Sequence, residues 1–118
     1  MGRRYQAPRF QVLTAANSSL SPNGQFTEVG ASDKVVFETT IASTVIGKFL
    51  VEYSNERGDV PSAWRELVFS TDLTANGASD TEYTIVIENK FKFLRLSFLD
   101  NGGSGLINAW VSAQGVGA

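Results

Sequence analysis

Whatever chemistry this chain performs is done without imidazole or thiol, because its 118 residues include no histidine and no cysteine. That removes the usual general base, the commonest metal ligand, thiol nucleophiles, disulfides and every Ser-His-Asp arrangement. No cofactor and no metal site is expected. Carboxylates remain as the acid–base candidates. Asp59, Asp72, Asp80 and Asp100 fall where turns are expected and could gather at one end of a β fold. Two such groups could cleave a glycoside, and several could hold Ca²⁺ together with backbone carbonyls. Neither reading has a spacing signature, and loop aspartates ordinarily cap turns. No catalytic residue is assigned.

Three short motifs fare little better. The glycine-rich stretch 102–105 invites a phosphate-loop reading, but such loops need a helix to follow, and a strand follows here. It therefore reads as a hairpin loop. Arg57-Gly58-Asp59 matches the tripeptide that integrins recognise, yet Gly-Asp is also ordinary turn material. Asn17-Ser18-Ser19 fits a glycosylation acceptor, but no apolar signal segment precedes it.

Aromatic and basic residues carry more. If Ile107, Ala109 and Val111 face a core, parity sends Asn108, Trp110 and Ser112 to the other face. The same logic sets Phe91, Phe93 and Arg95 opposite Leu94, Leu96 and Phe98. Adjacent outer faces would then display Phe, Arg and Trp together, the types enriched at interface hot spots. Such a face would meet a partner or a second copy, be covered from within the chain, or stack a sugar ring. Residues 1–9 add a second contact candidate, since Arg3, Arg4 and Arg9 stand there without an acid. The rest of the chain holds seven bases against twelve acids. Arg3, Arg4, Tyr5 and Arg9 would dock this arm on an acidic surface. The overall charge of −2 argues against nucleic-acid binding, and no apolar run is long enough for a membrane helix.

The elements that must position these residues alternate with period two. Val35, Phe37, Thr39 and Ile41 share one face; Gly47, Phe49, Val51 and Tyr53 share another. Tyr83, Ile85 and Ile87 form a third row, and Ile107, Ala109, Val111 and Ala113 the last. Phe10, Val12 and Thr14 are expected to alternate near the start, Phe26 and Val29 to mark a short strand, and Trp64, Leu67 and Phe69 a fifth. The pattern predicts an all-β chain: a 1–9 arm and a 10–118 antiparallel β-sandwich or jelly roll of about eight strands.

Three segments carry a resemblance. Residues 49–67 (FLVEYSNERGDVPSAWREL) resemble the strand–turn–strand of discoidin-like sandwiches, with Glu56–Pro61 lengthening the turn, and 93–98 (FLRLSF) resemble a later strand of that group. The ending at 103–115 (GSGLINAWVSAQG) is similar to small virion proteins of tailed bacteriophages. The resemblance implies a non-enzymatic virion component, a capsid decoration or tail protein. Such a protein would be made in the bacterial cytoplasm and would bind other virion proteins as a homo-oligomer. Phe91, Phe93, Arg95, Asn108 and Trp110 would supply its interface. A carbohydrate-binding module or host-receptor adhesin is the alternative, reading a surface glycan through Trp110. A carboxylate-dependent glycan-cleaving enzyme is the third.

Overall fold

A computed structural model describes residues 4–6 and 9–116, with side chains from 9 to 114. Ten strands run through them: β1 (Arg4–Gln6), β2 (Phe10–Asn17), β3 (Thr27–Glu28), β4 (Lys34–Ile41), β5 (Ile46–Ser54), β6 (Arg65–Glu66), β7 (Leu73–Asn76), β8 (Glu82–Glu88), β9 (Phe93–Asp100) and β10 (Leu106–Val116). They pair outermost with outermost and so inward. β2 pairs with β10, β3 with β9, β4 with β8, and β5 with both β6 and β7, all antiparallel. Rolled up, this long hairpin gives two sheets. One runs β2–β10–β4–β8, with β1 sharing the β2 side of β10; the other runs β3–β9–β5, with β6 and β7 along its far side. That is the order of an eight-position jelly roll.

The core lies where the alternating rows of both sheets meet. Val35, Phe37 and Ile41 of β4 and Ile107, Ala109 and Val111 of β10 face Phe49 and Val51 of β5 and Leu94, Leu96 and Phe98 of β9. Each fully buried Val, Leu, Ile or Phe contributes about 1.5–3 kcal/mol. Thr39 is the polar member of its row, and its hydroxyl donates to the Tyr83 carbonyl at 3.1 Å. Tyr83 closes the row on β8, its hydroxyl reaching across the sandwich to the backbone of Asn76.

Several expectations change. In β2 the row is not Phe10, Val12 and Thr14: Phe10 is exposed, whereas the neighbours Val12 and Leu13 are both buried. The pairing with β10 slips twice around Ala109, and Ala15 takes φ 43°, so strict alternation is lost at this bulge. The strand expected over Trp64–Phe69 shrinks to Arg65–Glu66. The loop at 101–105 is no hairpin, because β9 and β10 lie in different sheets. It crosses between them instead, and its glycines permit the crossing. A Cβ on Gly103 would stand 2.3 Å from the Thr44 carbonyl oxygen, far inside contact distance.

Candidate functional site

The separation of β9 from β10 also divides the expected aromatic face. Arg95 and Trp110 lie on the outer faces of opposite sheets, so Phe91, Phe93, Arg95 and Trp110 do not form one surface. Phe93 is fully buried, and Phe91 turns toward the end of the core, stacked on Tyr53 at 4.3 Å. Each sheet carries its own Trp–Arg–Glu cluster instead.

On the β10 sheet, register sets Trp110 beside Glu38 of β4. Arg9 completes the group. Its guanidinium lies over the Trp110 ring at 4.5 Å and donates to Glu38 at 3.3 Å. The pair is open to water, with both side chains about half exposed. A shallow groove of about 260 Å³ continues from this cluster across Thr40 and Thr84 to Glu82. Asn108, two residues back along the strand, has its amide oxygen engaged. Its Oδ1 accepts from the Ala15 N–H at 2.8 Å and from Gln11 Nε2 at 3.1 Å, which pins the β2 bulge. Of the segment read as a basic arm, residues 4–6 and Arg9 thus lie along their own domain. Arg4 and Tyr5, described by backbone alone, pair with Val116 and Gly115. Arg3 lies outside the described residues.

On the β9 sheet the register sets Arg95 beside Glu52 of β5. Arg95 Nε donates to Glu52 Oε1 at 3.0 Å, and the Ser97 hydroxyl donates to the same oxygen at 2.8 Å. The Trp64 ring covers the guanidinium at 4.6 Å. Phe26 stands against both Trp64 and Phe93, so two connecting segments roof the outer face of these strands. The side chains of this ion pair are only 22% and 18% exposed. Glu52 also has Glu66 opposite it on β6, which makes Arg95 and Ser97 the more necessary.

The loop that delivers Trp64 is held by Glu56. Its carboxylate accepts from the backbone N–H groups of Ser62 and Ala63 and from the Ser62 hydroxyl. Those bonds, the Ser62 N–H foremost, hold its pKa below the ordinary glutamate value. Arg57, Gly58 and Asp59 project from this loop and are exposed, with Gly58 at φ 99°. Lys92 Nζ donates to the Gly58 carbonyl at 2.9 Å and ties the loop to the start of β9. Asn17 caps the 3-10 turn Ser18–Leu20, its Oδ1 accepting from the Ser19 N–H at 3.0 Å.

The loop aspartates are only partly brought together. Asp72 and Asp100 line one cavity of about 270 Å³ with Lys48, whereas Asp59 follows the opposite end of β5. Asp80 accepts from the Glu82 N–H at 3.1 Å, an ordinary turn cap. Glu38 and Glu52 are not singled out by the sequence, and Trp64 and Phe26 enter there only as strand markers. Only the nested strand order, which fixes 38 beside 110 and 52 beside 95, would have found the two acids. Comparison with protein-family models finds no matching family, and comparison with curated proteins finds no relative.

Proposed function

We propose that this chain is a non-enzymatic structural protein of a bacteriophage virion, a capsid decoration or tail component. It acts by docking on other virion proteins and on copies of itself. The observation that carries the reading is the apolar end of the sandwich. Leu20, Ile46, Leu99 and Leu106 are 77%, 41%, 46% and 52% exposed. They sit on segments stitched together by Ser18 N–H to Gly105 O, Asn101 N–H to Ile46 O and Ala42 N–H to Leu106 O. Large apolar side chains left exposed on adjoining segments at one end of a small domain favour a protein partner. Jelly rolls recur in viral capsid proteins, and the phage-like ending at 103–115 points the same way.

The test is incorporation. Light scattering after size exclusion should show an oligomer, and electron microscopy should locate the chain on the particle. Leu20→Ser with Leu106→Ser should abolish both while the fold persists. A monomer that joins no particle overturns the reading. The carbohydrate alternative draws on Trp110, whose ring face is taken by Arg9. It predicts a glycan-array ligand that binds more tightly to Arg9→Ala and is lost in Trp110→Ala.

A further inference from the structure

Strand β8 is the longest regular edge of the sandwich. The outer strands of the other sheet have two to four residues, and β2 is bulged. Short or bulged edges are protected from strand addition, whereas β8 runs seven residues with β4 as its one partner among the described residues. Two bonds fix which of its main-chain groups are free. Ile41 N–H donates to Thr81 O and Asn89 N–H to Asp33 O, both at 2.9 Å. In the register that joins Lys34 to Glu88 and Thr40 to Glu82, the odd-numbered residues of β8 therefore bond to β4. Glu82, Thr84, Val86 and Glu88 turn their N–H and C=O groups outward. All four side chains are exposed on the outer face.

Charge selects what that edge accepts. β8 contains two glutamates and no base. A two-fold pairing of β8 with a second copy, centred on Ile85, would set Glu82 of each against Glu88 of the other, and like charges directly opposite are destabilising. The same glutamates favour a strand with bases at those positions and an apolar residue over Val86, which is 53% exposed. Beyond the small side chain of Thr84 lies the groove that runs to Glu38.

We propose that β8 is a docking edge for an extended, basic segment of another protein, which adds beside it as an antiparallel or parallel strand. This deepens the assembly reading and rests on it for the source of the partner. Its chemistry is tested separately. The probe is the blocked peptide RTVTVTR, with ETVTVTE as its acidic counterpart, titrated into the full chain. The basic peptide should bind at least about tenfold more tightly than the acidic one. It should slow hydrogen exchange at the amides of Glu82, Thr84, Val86 and Glu88. Val86→Pro removes one outward N–H and none of the bonds to β4, so it should abolish binding in a folded protein. The double variant Glu82→Lys, Glu88→Lys should reverse the preference between the peptides. Equal affinities, protection at other strands, binding retained by Val86→Pro, or no binding at millimolar peptide each overturn the proposal. A chain that enters particles yet ignores the basic peptide refutes this docking edge alone. One that binds the peptide at β8 but joins no particle refutes the assembly reading alone.

Discussion

The two outer faces of the sandwich build the same trio in opposite ways. On the β9 sheet, neighbouring strands supply the ion pair Arg95–Glu52, and a loop brings Trp64 over it. On the β10 sheet, neighbouring strands supply Trp110 and Glu38, and Arg9 arrives from the segment before β2. The consequence is a difference in exposure: 22% and 18% for the first ion pair, 50% and 47% for the second. Attraction between charges grows as water is excluded, and so does the cost of leaving one of them alone. The roofed cluster is therefore part of what holds the fold, whereas the open one can exchange its arginine at little cost.

The largest test of that contrast is Phe93→Ala. Phe93 is fully buried although it faces away from the main core, because Phe26 and the Lys92 ammonium cover it. Its removal should cost about 3–5 kcal/mol in urea unfolding, the range for a core phenylalanine. Phe10→Ala on the other sheet, 57% exposed, should cost less than about 0.5 kcal/mol. Similar values for the two would erase the distinction between a roofed and an open face.

Next in size is Glu52→Ala. It leaves the Arg95 guanidinium half-buried without its carboxylate and frees the Ser97 hydroxyl, for an expected loss of about 1–3 kcal/mol. Glu38→Ala, by contrast, should change stability by less than about 1 kcal/mol, as exposed pairs do. A double-mutant cycle with Arg95→Ala should show coupling, and one with Arg9→Ala should show little.

How much of this was legible depended on what lay above each strand. β4 alternates buried and less buried residues along its full length, because its inner row meets the core and its outer row meets solvent. Periodicity sufficed there. Parity set Phe93 on an outer face correctly, yet parity assumes that outside means wet. The aromatic part of the roof over Phe93 comes from Phe26, itself backed by Trp64, both far away in sequence, and no pattern within β9 announces it. Adjacency in sequence, with a hairpin expected between them, places Trp110 on the same surface as Arg95. A connection that changes sheets, made possible by the tightly packed Gly103 and Gly105, undoes that step. Parity makes Asn108 a contact residue, while its amide oxygen is engaged at the β2 bulge that also ends the alternation of Phe10, Val12 and Thr14.

Acid should separate the clusters by a different route. Glu56 holds the Trp64 loop through the N–H groups of Ser62 and Ala63, and its pKa in the folded chain is depressed. A depressed carboxylate contributes stability above its unfolded pKa and loses it as pH falls through the folded value. Acidification into the range below the ordinary glutamate value should therefore loosen the loop. The protection factors of the Ser62 and Ala63 amides should fall there, with Trp64 fluorescence moving in step. Glu56→Gln should remove the titration. A Trp64 response that survives in Glu56→Gln would mean that another group holds the loop.

The smallest expected effect is the most specific to the open face. Arg9→Ala should leave stability within about 1 kcal/mol, since it removes one exposed ion pair and one exposed cation–π contact. What should change is access to the ring. In a Trp64→Phe background, where Trp110 is the single tryptophan, acrylamide should quench the Arg9→Ala protein more efficiently than its parent. Adding salt to the parent should move its quenching part of the way toward the variant, because the Arg9–Glu38 attraction is screened over a Debye length of about 10 Å at 0.1 M. The reciprocal experiment, a Trp110→Phe background that reports Trp64, should be indifferent to salt, because its arginine is held by Glu52 beneath the ring. Quenching at Trp64 that rose with salt as steeply as at Trp110 would show that the roof over Arg95 is no barrier to water, and the contrast in exposure would lose its energetic meaning.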